Sequence, residues 1–362
     1  MMPQIASCIC GTSAIHGGRR FRRRPRRTLL GALACALAWS LVAGCGGGPT
    51  GREVRIPLGA GGVGFPPLLV MREHKLIEKH AASAGMADVT VRWIELGGPA
   101  VMNDALLSGS VDFIAAGPPA FITLWDKTRD NADVRGVAAM ASLPMYLNTT
   151  TARLRTLDDL GEQDKIAVTS VKVSIPSIAM QMYAAEHYGA AAAFRFDRYT
   201  VTMTHPDALI AMLSGAGQID AHFTSPPFHQ RERKDPRVHT VLDTNAIMGG
   251  ATTFTMLSTT AKFRAASPAL YSAVLAALQE ATEQIRTDPR AAAEILFAAE
   301  PTAGFSVDEL VEVLRDPAIE FTTTPANIEK YARFMRSIGS VDHDPASWRD
   351  LFFPEIHAAP GS

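Results

Sequence analysis

The run Ser170-Val171-Lys172-Val173-Ser174-Ile175-Pro176-Ser177 gathers hydroxyls and one cation between an apolar stretch, Lys165 to Thr169, and an apolar helical stretch reaching Tyr188. A strand, a polar loop and a helix with Pro near its first turn would expose free backbone N–H groups, which favour an anionic or strongly polar group. Ser174 and Ser177 add hydroxyls to such a site and Lys172 adds charge. The same residues also fit a plain N-cap by Ser174 beside a solvated Lys172, and both readings stand at this point. A second candidate is the glycine-rich loop Gly59-Ala60-Gly61-Gly62-Val63-Gly64, which follows an apolar strand, Glu53 to Leu58. Its spacing satisfies GxGxxG, yet Phe65-Pro66-Pro67 occupies the first helical turn, where a dinucleotide fold needs a regular helix interior. The next acid at a strand end, Glu95, also comes later than that fold requires. The loop reads better as backbone that lets a small ligand approach closely, with Pro66 or Pro67 starting a helix that runs to His80.

Catalytic chemistry finds little support. The chain holds no GxSxG, GxxxxGK[ST] or HExxH pattern. Its four cysteines are Cys8, Cys10, Cys35 and Cys45, all in the first 45 residues, which removes thiol nucleophiles and cysteine-held metals from the remainder. The ten histidines are scattered; His222 and His229 are close in sequence but lack metal spacing, and His205 reads as a turn residue before Pro206, its role left open. No cofactor and no metal is expected. Glu232, Lys234 and Asp235 read as a solvated surface run.

The elements that must position these residues come from an internal echo. Leu107 to Phe121 reads LSGSVDFIAAGPPAF and Leu213 to Phe228 reads LSGAGQIDAHFTSPPF. Each is a helix stopped at Gly, a short buried strand carrying an Asp (Asp112, Asp220), and a turn into a helix that Pro can start. Two such units about a hundred residues apart imply two similar α/β lobes whose strand ends and helix starts face one cleft. Further strands are expected at Val89 to Leu96, Asp133 to Met140, within Arg195 to Thr204, at Val238 to Leu242 and at Thr252 to Ser258. Ser142 to Leu147 and the segment after Met248 read as crossings between the lobes. Helices follow at Pro268 to Thr287, Pro289 to Ala299, Val307 to Leu314 and Pro325 to Ile338, with Phe352-Phe353-Pro354 docking on a lobe. Loops at the strand ends form the expected ligand-binding set: Gly61, Gly62, Phe65, Gly98, Pro99, Gly117, Pro118, Lys172, Ser174, Ser177, Thr224, Ser225, Gly249 and Gly250.

The chain has 362 residues with 47% apolar and 20% charged side chains, enough for a large core without disulfide staples. Its net charge is −1, but seven arginines and no acid precede Cys45, leaving −8 for the rest. An acidic body argues against nucleic acid as a partner. Arg19 to Arg27 is a basic n-region and Thr28 to Ala43 an apolar h-region too short for a comfortable membrane span. Val42-Ala43-Gly44-Cys45 resembles a lipobox ending in a lipidated Cys45, and Arg26-Arg27-Thr28-Leu29-Leu30 weakly resembles a twin-arginine signal. Gly46 to Gly51 then serves as a flexible tether.

Four motifs in order carry a wider resemblance: Leu107 to Phe113, the TLDDL and KIAV runs between Thr156 and Val168, LSGAGQIDA at Leu213 to Ala221, and Asp288-Pro289-Arg290-Ala291-Ala292-Ala293. Over roughly Arg52 to Phe297 the layout resembles the periplasmic substrate-binding proteins of ABC importers, in the nitrate, sulfonate and taurine group that includes binders of thiamine precursors. The resemblance implies two Rossmann-like lobes joined by two crossover strands, the type II periplasmic binding protein fold, with the ligand between them. It implies a signal peptide over 1–44, a tether over 45–51, lobe I from 51–146 plus 250–362, and lobe II from 147–249. It also implies a monomeric binder, not an enzyme, that closes its two lobes about a hinge on a small polar or anionic solute, with that small-molecule ligand, an ABC permease and, through its lipid, a membrane as partners. A sensor lipoprotein on the same fold and an enzyme of pyrimidine or thiamine-precursor metabolism are the alternatives. No Arg lies in the loops expected at the cleft, which weakens the case for a strongly charged ligand.

Overall fold

A computed structural model of the protein describes residues 52–59, 61–300 and 304–362. The expected signal peptide, Cys45 and the tether lie outside the described residues. The chain begins with β1 (Glu53–Leu58), α1 (Pro66–Glu73), α2 (Leu76–Ser83), β2 (Thr90–Glu95), α3 (Pro99–Leu107), β3 (Phe113–Ala116), α4 (Pro118–Thr128) and β4 (Val134–Ser142). A second group follows: β5 (Tyr146–Thr149), β6 (Ile166–Val168), α5 (Ile175–Tyr188), β7 (Thr200–Thr202), α6 (His205–Ser214), β8 (Ala221–Thr224), α7 (Phe228–Glu232), β9 (His239–Asp243) and α8 (Thr244–Met248). The chain then returns with β10 (Thr253–Thr260), α9 (Ala261–Ala266), α10 (Pro268–Thr287), α11 (Pro289–Ala299), α12 (Val307–Leu314), β11 (Glu320–Phe321), α13 (Ile328–Ser337) and α14 (Trp348–Leu351).

Strand pairing divides these elements into two lobes. One lobe holds the parallel pair β1-β2 and a four-stranded sheet in the order β11-β4-β10-β3; the other holds a five-stranded sheet in the order β7-β6-β8-β5-β9. The result is a mixed α/β architecture of two Rossmann-like halves. The short strands β3, β6 and β8 are buried along their whole length, as strands covered on both faces must be. α10 shows why the covering helices form. Leu270, Val274, Leu278, Ala281 and Ile285 recur at helical spacing and are all buried. Pro268 starts it at a position where the lost N–H would have had no helical partner. Glu280 on its flank accepts from Lys79 and pairs with His80 of α2, fastening the two helices.

The sequence echo has a shared physical purpose. In the first copy the Asp112 carboxylate accepts the Arg55 backbone N–H at 2.8 Å, and the Asp112 N–H returns a bond to Arg55 O at 2.9 Å. In the second, the Asp220 carboxylate accepts the Lys165 N–H at 2.9 Å and the Asp220 N–H reaches Lys165 O at 2.8 Å. Each Asp rivets the start of its own strand to a neighbouring strand segment. Gly109 and Gly215 carry the chain out of the preceding helices at φ 71° and 67°, the left-handed turn that glycine adopts most readily. The copies part company at their ends. Pro118 starts α4 directly, whereas Pro226 and Pro227 precede α7, which begins only at Phe228 and is five residues long.

Several expected elements differ. The helix expected from Pro66 to His80 is two helices, because Lys75 sits at φ 49° and breaks the ladder between α1 and α2. Arg195 to Thr204 is largely a 3-10 segment spanning Ala190–Tyr199, leaving a strand of only three residues, β7. The helix expected from Pro325 starts at Ile328, after Asn327 at φ 55°. Glu232 is not solvated: its side chain is fully buried. Near the C-terminus Phe352 is buried against the first lobe, and the Phe353 N–H donates to Gly136 O at 3.0 Å.

The chain passes between the lobes twice. Leu143 to Met145 joins β4 to β5, and α8 with Gly249 to Thr252 joins β9 to β10. These passages are tied to each other. Met145 N–H donates to Thr244 Oγ1 at 2.8 Å, Thr244 N–H donates to Met145 O at 3.0 Å, and Ser142 Oγ donates to Thr252 O at 2.7 Å.

Candidate ligand-binding cleft

Five helices aim their first residues at one cavity. Phe65 before α1, Pro99 of α3, Gly117 before α4, Ser174, Ile175 and Pro176 at the start of α5, and His205 of α6 all line it. About 530 Å³ of space not filled by protein lies there, a figure that includes solvent at the open mouth. Its walls come from both lobes. Gly61, Phe65, Met102, Ala115 and Phe254 belong to the first; Thr169, Val173, Ser174 and His205 belong to the second; Met145 of the passage between lobes lies among them. The surface is mostly apolar, with Ser174, Thr169, Thr255 and His205 as its polar side chains.

Glycines mark where the lobes meet most closely. A methyl group on Gly98 would stand 2.4 Å from Thr169 O and 2.8 Å from Ser170 Oγ across the cleft. One on Gly117 would meet the Ile175 side chain at 3.0 Å, and one on Gly62 would meet Pro226 O at 3.3 Å. The Val63 N–H donates to Pro226 O at 3.4 Å, a bond from lobe to lobe. The lobes are therefore drawn together in this structure.

The expected site residues separate into three groups. Gly61, Phe65, Pro99, Gly117 and Ser174 line the cavity. Gly62, Gly98, Pro118, Ser177, Thr224 and Ser225 stand next to it. Gly62 gives its N–H to the Glu300 carboxylate at 3.1 Å, and burial pushes that carboxyl above the usual range while the Gly62 bond draws it back. Pro118 is buried in the first turn of α4. Ser177 is wholly buried, where its hydroxyl donates to Ser170 O at 3.2 Å and accepts from the Lys172 N–H at 3.1 Å. It braces the loop, and Ser174 caps α5 by accepting the Ser177 N–H at 3.4 Å. Thr224 and Ser225 are buried at the end of β8. Lys172, Gly249 and Gly250 stand apart from the cavity. Lys172 is exposed at φ 67°, and the two glycines lie on the return passage, with Gly249 closing α8 at φ 72° beside Lys330.

Behind the cavity runs a buried polar chain with little trace in the sequence. His205 Nδ1 lies 2.8 Å from His222 Nε2, and His222 Nδ1 lies 2.5 Å from Glu232 Oε1. Asn148 Nδ2 donates to Glu232 Oε2 at 2.8 Å, and Thr240 Oγ1 donates to Asn148 Oδ1 at 2.8 Å. Ser225 Oγ sits 3.3 Å from His205 Nε2. His205, His222 and Glu232 are at most 3% exposed. Burial, and then the neighbouring His222, hold the His205 imidazole well below its ordinary pKa, so it stays neutral. Met102, Met145, Thr169, Phe254 and Thr255 also line the cavity. As ordinary residues at strand and helix ends, they were hidden among core positions.

Two α/β lobes, two tied passages and a cavity between strand ends and helix starts define the periplasmic binding protein architecture. Among solved structures, the alkanesulfonate-binding protein SsuA from Xanthomonas axonopodis pv. citri, bound to MOPS, aligns at TM-score 0.58 and 17% identity over 80% of this chain and 94% of its own. The periplasmic nitrate-binding protein NrtA from Synechocystis aligns at TM-score 0.59 and 14% identity, covering 86% and 93%. A Candida albicans protein described as having the generic periplasmic binding protein fold aligns at TM-score 0.60 and 13% identity, covering 82% and 92%. No curated protein sequence matches the chain. The chain belongs to the NMT1-like family, whose model matches residues 61–299, and it has the fold of the nitrate- and sulfonate-binding proteins of ABC importers.

Proposed function

We propose that the protein is an extracytoplasmic solute-binding lipoprotein that captures a small molecule between its lobes and delivers it to an ABC import permease. The observation that carries this reading is the cavity walled by both lobes and by Met145 of the passage joining them. A ligand seated there touches both moving parts and favours the closed form, since a ligand shifts a two-state equilibrium only by binding one state better. The family match and the shared fold of solute-binding proteins support binding. The protein is read as a binder rather than an enzyme.

The test begins with protein purified from its own source. Native mass spectrometry should find a bound solute. After its removal by dialysis against denaturant and refolding, adding it back should lower the radius of gyration in small-angle scattering and raise the melting temperature by mass action. A solute that binds without compacting the protein would sink the delivery mechanism.

The lipid anchor rests on Val42-Ala43-Gly44-Cys45. Cys45→Ala is expected to move the protein from the membrane fraction to the soluble periplasm, because it removes the cysteine that would carry the lipid. A variant that still sediments with membranes would remove the anchor.

A further inference from the structure

The polarity of the cavity narrows the class of solute, given the binding function proposed above. Helix N-termini usually serve anions through free N–H groups. Here proline has deleted seven of the fifteen in the first turns of the five helices. Pro66 and Pro67 occupy the first two positions of α1, Pro99 the first of α3, and Pro118 and Pro119 the first two of α4; Pro176 and Pro206 take the second positions of α5 and α6. A proline has no N–H to give. Several of the donors that remain are spent within the protein. Ser177 N–H goes to the Ser174 hydroxyl, Asp207 N–H to the Thr204 hydroxyl and Gly62 N–H to the Glu300 carboxylate. Val63 N–H goes to Pro226 O, and Phe65 N–H to Gly62 O. No Lys or Arg is among the residues lining the cavity.

The buried chain behind the cavity sets the remaining polar group. Asn148 Oδ1 takes the Thr240 hydroxyl, so its NH2 faces Glu232 and both carboxylate oxygens act as acceptors. Glu232 Oε1 then accepts from His222 Nδ1–H, and with His222 neutral its Nε2 keeps a lone pair. His205 Nδ1–H then donates to that lone pair, which leaves His205 Nε2 as an acceptor whose one partner among the described residues is the Ser225 hydroxyl at a long 3.3 Å. Each tautomer is dictated by the next along the chain.

We propose that the cleft selects a compact solute with an apolar body and an N–H or O–H donor head, read by the Nε2 lone pair of His205, and that it rejects oxyanions. The positive ends of five helices oppose this choice, since they attract negative charge. That pull resides largely in first-turn N–H groups, and proline has removed nearly half of these. An oxyanion stripped of water here would find too few donors to replace its hydration, which is costly for any buried charge. A donor head loses only bonds that His205 can restore.

The first test reads the tautomers directly. In 15N-labelled protein at neutral pH, long-range proton–nitrogen correlation should show Nδ1 protonated and Nε2 unprotonated in both His205 and His222. Glu232→Gln, whose amide can either donate or accept, should mix the tautomers of both rings. An Nε2–H or an imidazolium at His205 in the native protein overturns the acceptor. The second test uses matched probes: benzamide against benzoate, and benzenesulfonamide against benzenesulfonate, with nitrate as a small anion. The donor-bearing member of each pair should bind at least tenfold more tightly by calorimetry, and His205→Gln, which can donate as well as accept, should reduce that ratio severalfold. Tighter binding of any anion, or no binding by either donor-bearing probe, overturns the ligand class. The binding function itself survives that failure if native mass spectrometry still finds a solute that closes the lobes.

Discussion

Gly98→Ala is expected to hold the lobes apart. The backbone at Gly98 has φ −69° and ψ 175°, a conformation alanine adopts freely, so the change brings no backbone strain. Its whole effect comes from the added methyl group, which would lie 2.4 Å from Thr169 O and 2.8 Å from Ser170 Oγ in the facing lobe. Neither a carbonyl of a strand end nor a buried serine can retreat far. The closed form is penalised and the open form is not. Affinity for the co-purified solute should fall at least tenfold, equivalent to about 1.4 kcal/mol, and scattering with saturating solute should report a larger radius of gyration than wild type. Gly161→Ala is the control, since its methyl group would make only an ordinary contact with Asp164 Oδ2 at 3.6 Å, away from the cavity. If Gly98→Ala and Gly161→Ala bind and compact alike, the cross-cleft contact does not limit closure.

Glu232→Ala should produce the largest loss of stability. Its carboxylate is fully buried and accepts from His222 and Asn148 at 2.5 and 2.8 Å. Removal leaves two buried donors without partners, each costing about 1–3 kcal/mol, and opens a void beneath α7. The total expected is about 3–5 kcal/mol, the range for breaking a buried pair from one side. The exposed pair Arg237–Asp235 makes the comparison. Breaking it with Arg237→Ala should cost under about 1 kcal/mol. Urea denaturation of both variants measures the difference. A Glu232→Ala loss as small as that of the surface pair would show that the buried chain is not a structural asset.

Local chemistry made much of the fold readable. β1, α10, α11 and α12 begin and end where the residues expected them to, because Pro and acidic or Ser caps mark helix starts without reference to the rest of the molecule. The paired Leu-Ser-Gly motifs announced two lobes for the same reason: Gly109 and Gly215 answer a local demand for a left-handed turn. The break at Lys75 carried no such marker, since a lysine at positive φ is a choice imposed by packing. The site was half legible. Loop glycines could be placed at strand ends, and five of the expected residues line the cavity. Glu232 was misjudged because its neighbours Lys234 and Asp235 look like surface, while its partners His222 and Asn148 lie ten and eighty-four residues away. Pro176 also removes one N–H from the start of α5, a subtraction missed when it is read only as a start signal.

Met145 both lines the cavity and exchanges hydrogen bonds with Thr244 on the second passage. The two passages are thus bound into a single axle, and a solute in the cavity would rest against it. Leverage follows from that placement. An object wedged near a pivot opens the far rims by many times its own thickness, so a solute slightly too bulky at Met145 would spread the outer edges of the lobes widely. Size discrimination is thereby converted into the distance between two remote surfaces, a quantity that a membrane partner gripping both rims can gauge without ever touching the cargo.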